Sequence, residues 1–229
     1  MSRRESKEDR KAQRQQRRLD RKADIKKELQ RIILACEGTV TEKNYFQAIF
    51  DELIQGKGIA KTSFVIAKHN HTDPKGVLQD LLNELKKDPE FEHKWIVIDR
   101  DEMRPNGGGH SLENFNGAIS SAIAHKIHVA YSNPSFEIWY LLHFEYRHTP
   151  IDRDEVIEQL NKYVDYEKNS QTIYTEILPQ QDTAISNAKK LIAFHTTGAK
   201  KLIPADNNPS TTVYKLVELL NSFNKKGDI

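Results

Sequence analysis

The chain has 229 residues, and its 35 Lys and Arg nearly balance 33 Asp and Glu, leaving a net charge of +2 that hides an uneven distribution. Residues 1–31 hold thirteen basic and six acidic side chains, and the remainder holds 22 basic and 27 acidic, so a basic arm precedes an acidic body. Cys36 is the only cysteine, which excludes an internal disulfide; no apolar run approaches the roughly 18 residues of a membrane helix, and the charged start lacks the apolar stretch of a signal peptide. A soluble, cytoplasmic protein with no membrane association is expected.

Residues 1–30 form the arm: helix propensity is good, but apolar residues are too sparse for a stripe, so a solvated helix or a disordered tail is expected. At Ile32 the texture changes. The run Ile32–Cys36, stopped by Glu37-Gly38, reads as a buried strand. Thr39 or Thr41 can cap a helix whose apolar face is Tyr45, Phe46, Ile49, Phe50, Leu53 and Ile54. Residues 62–67 read as a second strand, and Asp73-Pro74 opens a helix with Val77, Leu78, Leu81, Leu82 and Leu85 at helical spacing. Residues 94–98 form a third strand, ending in Asp99-Arg100-Asp101-Glu102, and RPNGGGH (104–110) reads as a flexible loop. A helix over 112–125, a strand over 127–131 and a buried helix over 136–144 follow. After Pro150, residues 152–164, 181–195 and 210–224 read as helices with polar connections and no clear strand.

This alternation predicts an α/β fold: a four-stranded, mostly parallel sheet with helices on both faces over 31–150, joined by right-handed crossovers, and a C-terminal helical subdomain over 151–229 packed on it. In such sheets ligands bind beyond the carboxyl ends of the strands. Glu37 follows strand one, Lys68, His69 and His71 follow strand two, Asp99, Asp101 and Glu102 follow strand three, and Asn133 and Glu137 follow strand four. Converging carboxylates repel one another unless a cation sits among them, and hard oxygen donors suit Mg²⁺ or Mn²⁺. Asp99 and Asp101 point the same way in extended chain, so both can reach one metal or two neighbouring ones. Glu37 can serve as general acid or base or as a further ligand, which is the equipment of phosphoryl transfer or phosphodiester hydrolysis.

Other residues have plainer readings. Cys36 reads as an inert buried thiol. His69-Asn70-His71 shares letters with an HNH nuclease but not its ββα-metal setting, and His143 reads as a satisfied histidine. Lys68 is a point charge that can meet a phosphate. Asn208-Pro209-Ser210-Thr211-Thr212 reads as a helix start whose N–H groups, with Lys215 one turn inside, can hold a phosphate. Glu137 interrupts an apolar helix, where a carboxylate is costly unless paired or ligated.

A Glu after strand one and an Asp-x-Asp after strand three resemble the Toprim arrangement, with Glu37, Asp99 and Asp101 at the matching positions. The segments ILACEGTVTEKNYF (33–46), WIVIDRDE (95–102), SNPSFEIWYLLHFE (132–145) and NPSTTVYKLVELL (208–220) resemble the RloB-like family of bacterial phage-defence proteins more closely still. The resemblance implies a Mg²⁺-dependent nuclease acting on DNA or RNA as effector of an anti-phage or abortive-infection system. It implies metal on Glu37, Asp99 and Asp101 and a catalytic or supporting role for Glu137; by position, Glu102 is a further metal candidate and Lys68, Asn133 and Lys215 are candidate substrate contacts. It also implies an ABC/AAA-class ATPase partner, since this chain has no GxxxxGK[ST]. Homo-oligomerisation is left open. The alternative is a non-catalytic nucleic-acid-binding or scaffolding subunit of such an ATPase complex; a DxD phosphatase ranks last, because that chemistry places its Asp pair after strand one.

Overall fold

The computed structural model describes residues 12–18, 31–57, 59–103 and 108–225. The arm therefore lies outside the described residues except for 12–18, which are helical and exposed.

The sheet has five strands in the order β2-β1-β3-β4-β5: β1 (Ile32–Cys36), β2 (Phe64–Ile66), β3 (His93–Asp99) and β4 (His128–Asn133) run parallel, and the short β5 (Ser210–Thr211) pairs antiparallel with β4. Alternating side chains of β1 serve two separate cores. Ile32, Leu34 and Cys36 pack with Tyr45, Phe46, Ile49, Phe50 and Leu53 of α1 (Thr41–Lys57). Ile33 and Ala35 pack with Val77, Leu78 and Leu81 of α2 (Pro74–Lys87) and with Phe115, Ala118 and Ala122 of α3 (Leu112–Ala124). A strand buried on both sides must be apolar throughout, which is why β1 reads as an unbroken run.

Local signals set the helix ends. Asp73 caps α2 by accepting from the Gly76 N–H at 3.2 Å, with Pro74 in the first turn, and Ser111 caps α3 by accepting from the Asn114 N–H at 3.1 Å. Asp73 also accepts from the Asn114 side-chain amide at 2.7 Å, tying the two helix starts together. Thr41 is not a cap: its hydroxyl donates to the Lys168 carbonyl at 3.2 Å.

Three expectations are corrected. The buried helix after β4 is α4 (Glu137–Leu141) only; Leu142–Phe144 continue as tighter turns, with the His143 N–H on the Tyr140 carbonyl and the Phe144 N–H on the Leu141 carbonyl. The segment after Pro150 holds not only α5 (Arg153–Leu160), α7 (Gln181–His195) and α8 (Val213–Lys225) but also the short α6 (Ile173–Ile177), whose Ile173, Tyr174 and Ile177 are buried. It also supplies a strand, so the sheet has five strands rather than four. Ser210 and Thr211 lie in the sheet because β4 leaves an open edge and their hydroxyls suit it. The Thr211 hydroxyl donates to the Tyr131 carbonyl at 3.0 Å, and the Thr212 hydroxyl accepts from the Tyr131 N–H at 3.0 Å. Thr211 Oγ1 still accepts from the Val213 N–H, so one residue ends the strand and starts α8. Leu160, Ile177, Leu191, Val213, Leu216 and Leu220 share the α1-side core with β1 and β3, so the residues after 150 complete the same core. No helix of the described residues is long and apolar enough to cross a membrane.

Candidate active site

The strand order changes direction between β1 and β3, so their carboxyl ends splay apart and open a crevice. A cleft of about 500 Å³ lies there, lined among others by Glu37, Glu42, Asp99, Asp101, Glu137 and Arg153. Four of these carboxylates are those singled out from the sequence, and the fold brings them together.

Glu37 continues β1: its N–H donates to the Val97 carbonyl at 3.0 Å, and its Oε2 accepts from the Asp99 N–H at 3.1 Å. Its Oε1 makes a short contact with Nε2 of His110, which the Gly-rich loop delivers. Gly109 turns at φ 76°, and a Cβ there would collide with the Glu102 backbone, so glycine lets His110 double back onto Glu37. Burial alone would lower His110, but the hydrogen bond and charge of Glu37 outweigh it and hold the imidazole above its ordinary value. Burial in turn raises Glu37. One proton shared between the carboxylate and the imidazole satisfies both tendencies.

Asp99 ends β3 and is buried. Its Oδ2 accepts from the Phe136 N–H at 3.0 Å, which pins the start of α4, while its buried Oδ1 has no hydrogen-bond partner among the described residues. Burial pushes its carboxyl well above the usual range, reinforced by the carboxylates of Glu42, Glu37 and Glu137. Asp101 follows on the same side and is held by Arg153, Nη1 to Oδ2 at 2.9 Å. Glu137 is 1% exposed; Tyr166 donates to its Oε1 at 3.0 Å, Arg153 Nη2 lies 3.8 Å from the same oxygen, and Oε2 has no hydrogen-bond partner among the described residues. Glu137 thus lines the cleft and stands within ion-pair distance of Arg153.

Glu42, in the first turn of α1, is a fifth carboxylate that sequence reasoning passed over. It is buried and accepts from the Gly38 N–H at 3.1 Å; a Cβ at Gly38 would collide with its carboxylate, so the Glu-Gly pair after β1 is required by Glu42. Burial pushes Glu42 up to about 7, helped by Glu137 and Glu37. Its position, five residues past Glu37 and one turn into a helix, was the available signal. His110 and Arg153 were also passed over, the first inside a loop read as flexible, the second at the opening of a helix read only as packing.

Other candidates lie elsewhere. Glu102 stands outside this cleft with a side chain 77% exposed, 3.8 Å from Arg100. Lys68 is exposed and does not line the cleft. Asn133 is buried and donates its amide to the Pro204 and Ala205 carbonyls, each at 3.1 Å, so it fastens a loop rather than facing a substrate. Lys215 is exposed on α8, away from the cleft lining, because the apolar positions of that helix turn inward around it. Cys36 is buried, and burial pushes its thiol up, in keeping with an inert role.

Among the described residues no group of three or more His, Cys, Asp or Glu is arranged to hold a metal as it stands. The chemistry nonetheless fits: five carboxylates face one cleft, and two of their buried oxygens, Asp99 Oδ1 and Glu137 Oε2, have no partner. Hard oxygens of this kind would hold Mg²⁺ or Mn²⁺ once the Arg153 and His110 contacts loosen.

No curated protein and no solved structure matches the chain. The family model described as RloB-like protein matches residues 32–220, from the first residue of β1 into α8. With the described body covered almost throughout, the chain belongs to the RloB-like family.

Proposed function

We propose that the chain is a metal-dependent nuclease with a Toprim-type site, hydrolysing phosphodiester bonds in DNA or RNA as the effector of a bacterial anti-phage or abortive-infection system. The observation that carries this reading is the pair of unpartnered, buried carboxylate oxygens, Asp99 Oδ1 and Glu137 Oε2, in an acidic cleft at the sheet's switch point. Mg²⁺ would be held by Glu37, Asp99 and Asp101, and it would supply Lewis-acid polarisation of a phosphoryl oxygen. Glu37 and His110 hold a proton between Oε1 and Nε2 beside those ligands, where it can pass to or from a reacting oxygen. Arg153 and Lys168 line the same cleft and offer positive charge to a phosphate. The basic arm adds sequence-independent attraction to a nucleic-acid backbone. ATP-driven control would come from a separate ABC/AAA-class ATPase.

The test is cleavage of DNA and of RNA by the full-length protein, with its ATPase partner supplied, in Mg²⁺ or Mn²⁺. Activity should disappear on chelation and in Asp99→Ala and Glu37→Ala. Absence of cleavage of either polymer would overturn the reading. A second reading, a non-catalytic scaffold that binds nucleic acid and the ATPase, is favoured by the pairing of Asp101 with Arg153 and Glu37 with His110, which neutralises part of the cluster without a metal. Deleting residues 1–30 separates the two: a scaffold should lose its nucleic acid or its ATPase yet tolerate carboxylate-to-Ala changes.

A further inference from the structure

Arg153 and its partner Asp101 line both the acidic cleft and a smaller neighbouring cavity of about 280 Å³. The Arg153 backbone is fixed. Asp152 and Glu155 form a capping box at the start of α5, with Asp152 Oδ1 accepting from the Glu155 N–H at 2.9 Å and Glu155 Oε2 accepting from the Asp152 N–H at 3.0 Å. Its guanidinium is less firmly held. One bond, to Asp101, is well formed at 2.9 Å, whereas the approach to Glu137 at 3.8 Å exceeds hydrogen-bond length. Nor does the guanidinium satisfy the cleft: Asp99 Oδ1 and Glu137 Oε2 stay unpartnered beside it. A cation tethered by a long, flexible side chain, paired on one side and standing beside a second cavity, has somewhere to go.

We propose that Arg153 is a displaceable counter-cation: it competes with a divalent ion for Asp101 and Glu137, and once displaced turns its guanidinium to a substrate phosphate. The inference rests on the metal-dependent reading above. While the cleft carries no divalent ion, the single charge of the arginine offsets part of the repulsion between Asp101 and Glu137 and allows them to stay close. A divalent ion, with higher charge density and contact to several oxygens at once, displaces it. A freed guanidinium presents two parallel N–H donors that match a phosphate in a way a lysine cannot. The same charge thus stabilises the empty cleft and serves the loaded one.

The experiment is calorimetric titration of the full-length protein with Mn²⁺ alone. If Arg153 competes, Arg153→Gln should bind Mn²⁺ about tenfold tighter or more, because a unit charge is removed beside Asp101 and Glu137, while Arg153→Lys should stay near the parent value. Unchanged or weaker binding in Arg153→Gln, with the parent protein binding normally, overturns the inference and leaves the nuclease reading intact. If the parent and both variants bind no Mn²⁺, the metal-dependent reading fails and takes the inference with it. A measurement on the parent chain guards against misfolding of the glutamine variant: the Arg153 side-chain nitrogen resonance, identified by its loss in Arg153→Lys, should shift saturably with Mg²⁺. Saturation of the protein by Mg²⁺ with that resonance unmoved would also overturn the inference.

Discussion

Asp80 and Asp99 are both buried, at 3% and 7% exposed, and both lie near the carboxyl end of the parallel sheet, yet the protein treats them in opposite ways. Asp80 lies in α2 and takes four hydrogen bonds: the Asn70 N–H at 2.7 Å, the Asn70 amide at 3.0 Å, the His71 N–H at 3.0 Å and His71 Nδ1 at 2.8 Å. Burial alone would raise it, but these donors win and hold its carboxyl below the usual range. Asp99 has one donor for one oxygen, none for the other, and carboxylates for neighbours, so it is pushed up. Burial is therefore not the feature that marks the site. A buried carboxylate with every oxygen satisfied holds a loop; one left short of donors among its own kind is the candidate for a functional site.

The largest expected effect breaks the structural member of the pair. Asp80→Ala strips partners from two backbone and two side-chain groups of the 70–71 turn at once, and should cost about 3 to 4 kcal/mol of stability. Urea denaturation followed by circular dichroism measures it. A loss under about 1 kcal/mol would mean that water replaces the carboxylate easily and that the contrast with Asp99 is overdrawn.

How much of this was legible follows the same division. Strands and helices of the body could be read because a parallel sheet buried on both sides writes its core as apolar runs, as in Ile32–Cys36. Glu37, Asp99, Asp101 and Glu137 were legible because position after a strand is a topological signal. The partners that decide what those carboxylates do were not. His110 reaches Glu37 across 73 residues and Arg153 reaches Asp101 across 52, and no local pattern encodes such a meeting. Asp80 itself reads as an ordinary helix residue until the 69–71 loop folds back on it. Asn133 and Thr211 failed in the opposite direction: the one reads as a substrate contact after a strand and the other as part of a helix start that can hold a phosphate, but here they fasten chain to chain.

His143 sharpens the comparison because it too is buried and short of a partner, but far from the carboxylates. Its Nδ1 meets the Trp139 carbonyl at 2.9 Å, Nε2 has no hydrogen-bond partner among the described residues, and burial lowers the imidazole to about 4. The group is neutral in the fold and protonates in the unfolded chain near its ordinary 6.5. Its contribution to stability is therefore whole above that value and is lost as pH falls from about 6.5 toward 4, to a total of up to about 3 kcal/mol. Denaturation curves at steps across this window should show His143→Gln losing less stability than the parent on acidification. Parallel curves would mean that the imidazole reaches water. The group's lack of a partner would then not oppose its charging, and only the convergence of carboxylates would distinguish Asp99.

Asp99→Asn tests the other half directly. The amide keeps an oxygen for the Phe136 N–H and turns an N–H₂ toward Glu42 and Glu137, so it replaces a repelled charge by a donor. Stability of the metal-free protein should rise by about 1 to 2 kcal/mol, while metal-dependent cleavage falls by two orders of magnitude or more. Thermal denaturation in chelator and a cleavage assay read the two effects. A fall in stability equal to that of Asp80→Ala would make Asp99 one more structural aspartate.

The smallest expected effect concerns a carboxylate that is satisfied but solvent-exposed. Asp152 caps α5 by accepting from the Glu155 N–H, and the helix begins on Arg153. Asp152→Ala removes the cap and should cost about 1 kcal/mol, within the usual range for losing a capping oxygen. That is well below the effect of Asp80→Ala because water can reach the freed N–H. The informative part is what happens next door. If the capping box only holds the helix, Mn²⁺ affinity should not change. If the cap also fixes where the arginine side chain starts, its loss should slacken the Arg153–Asp101 pair and move Mn²⁺ binding in the same direction as Arg153→Gln, by a smaller factor. Calorimetry on Asp152→Ala alone and combined with Arg153→Gln separates these outcomes. Non-additive affinities would place Asp152 in the same unit as Arg153, and additive ones would leave it a helix cap.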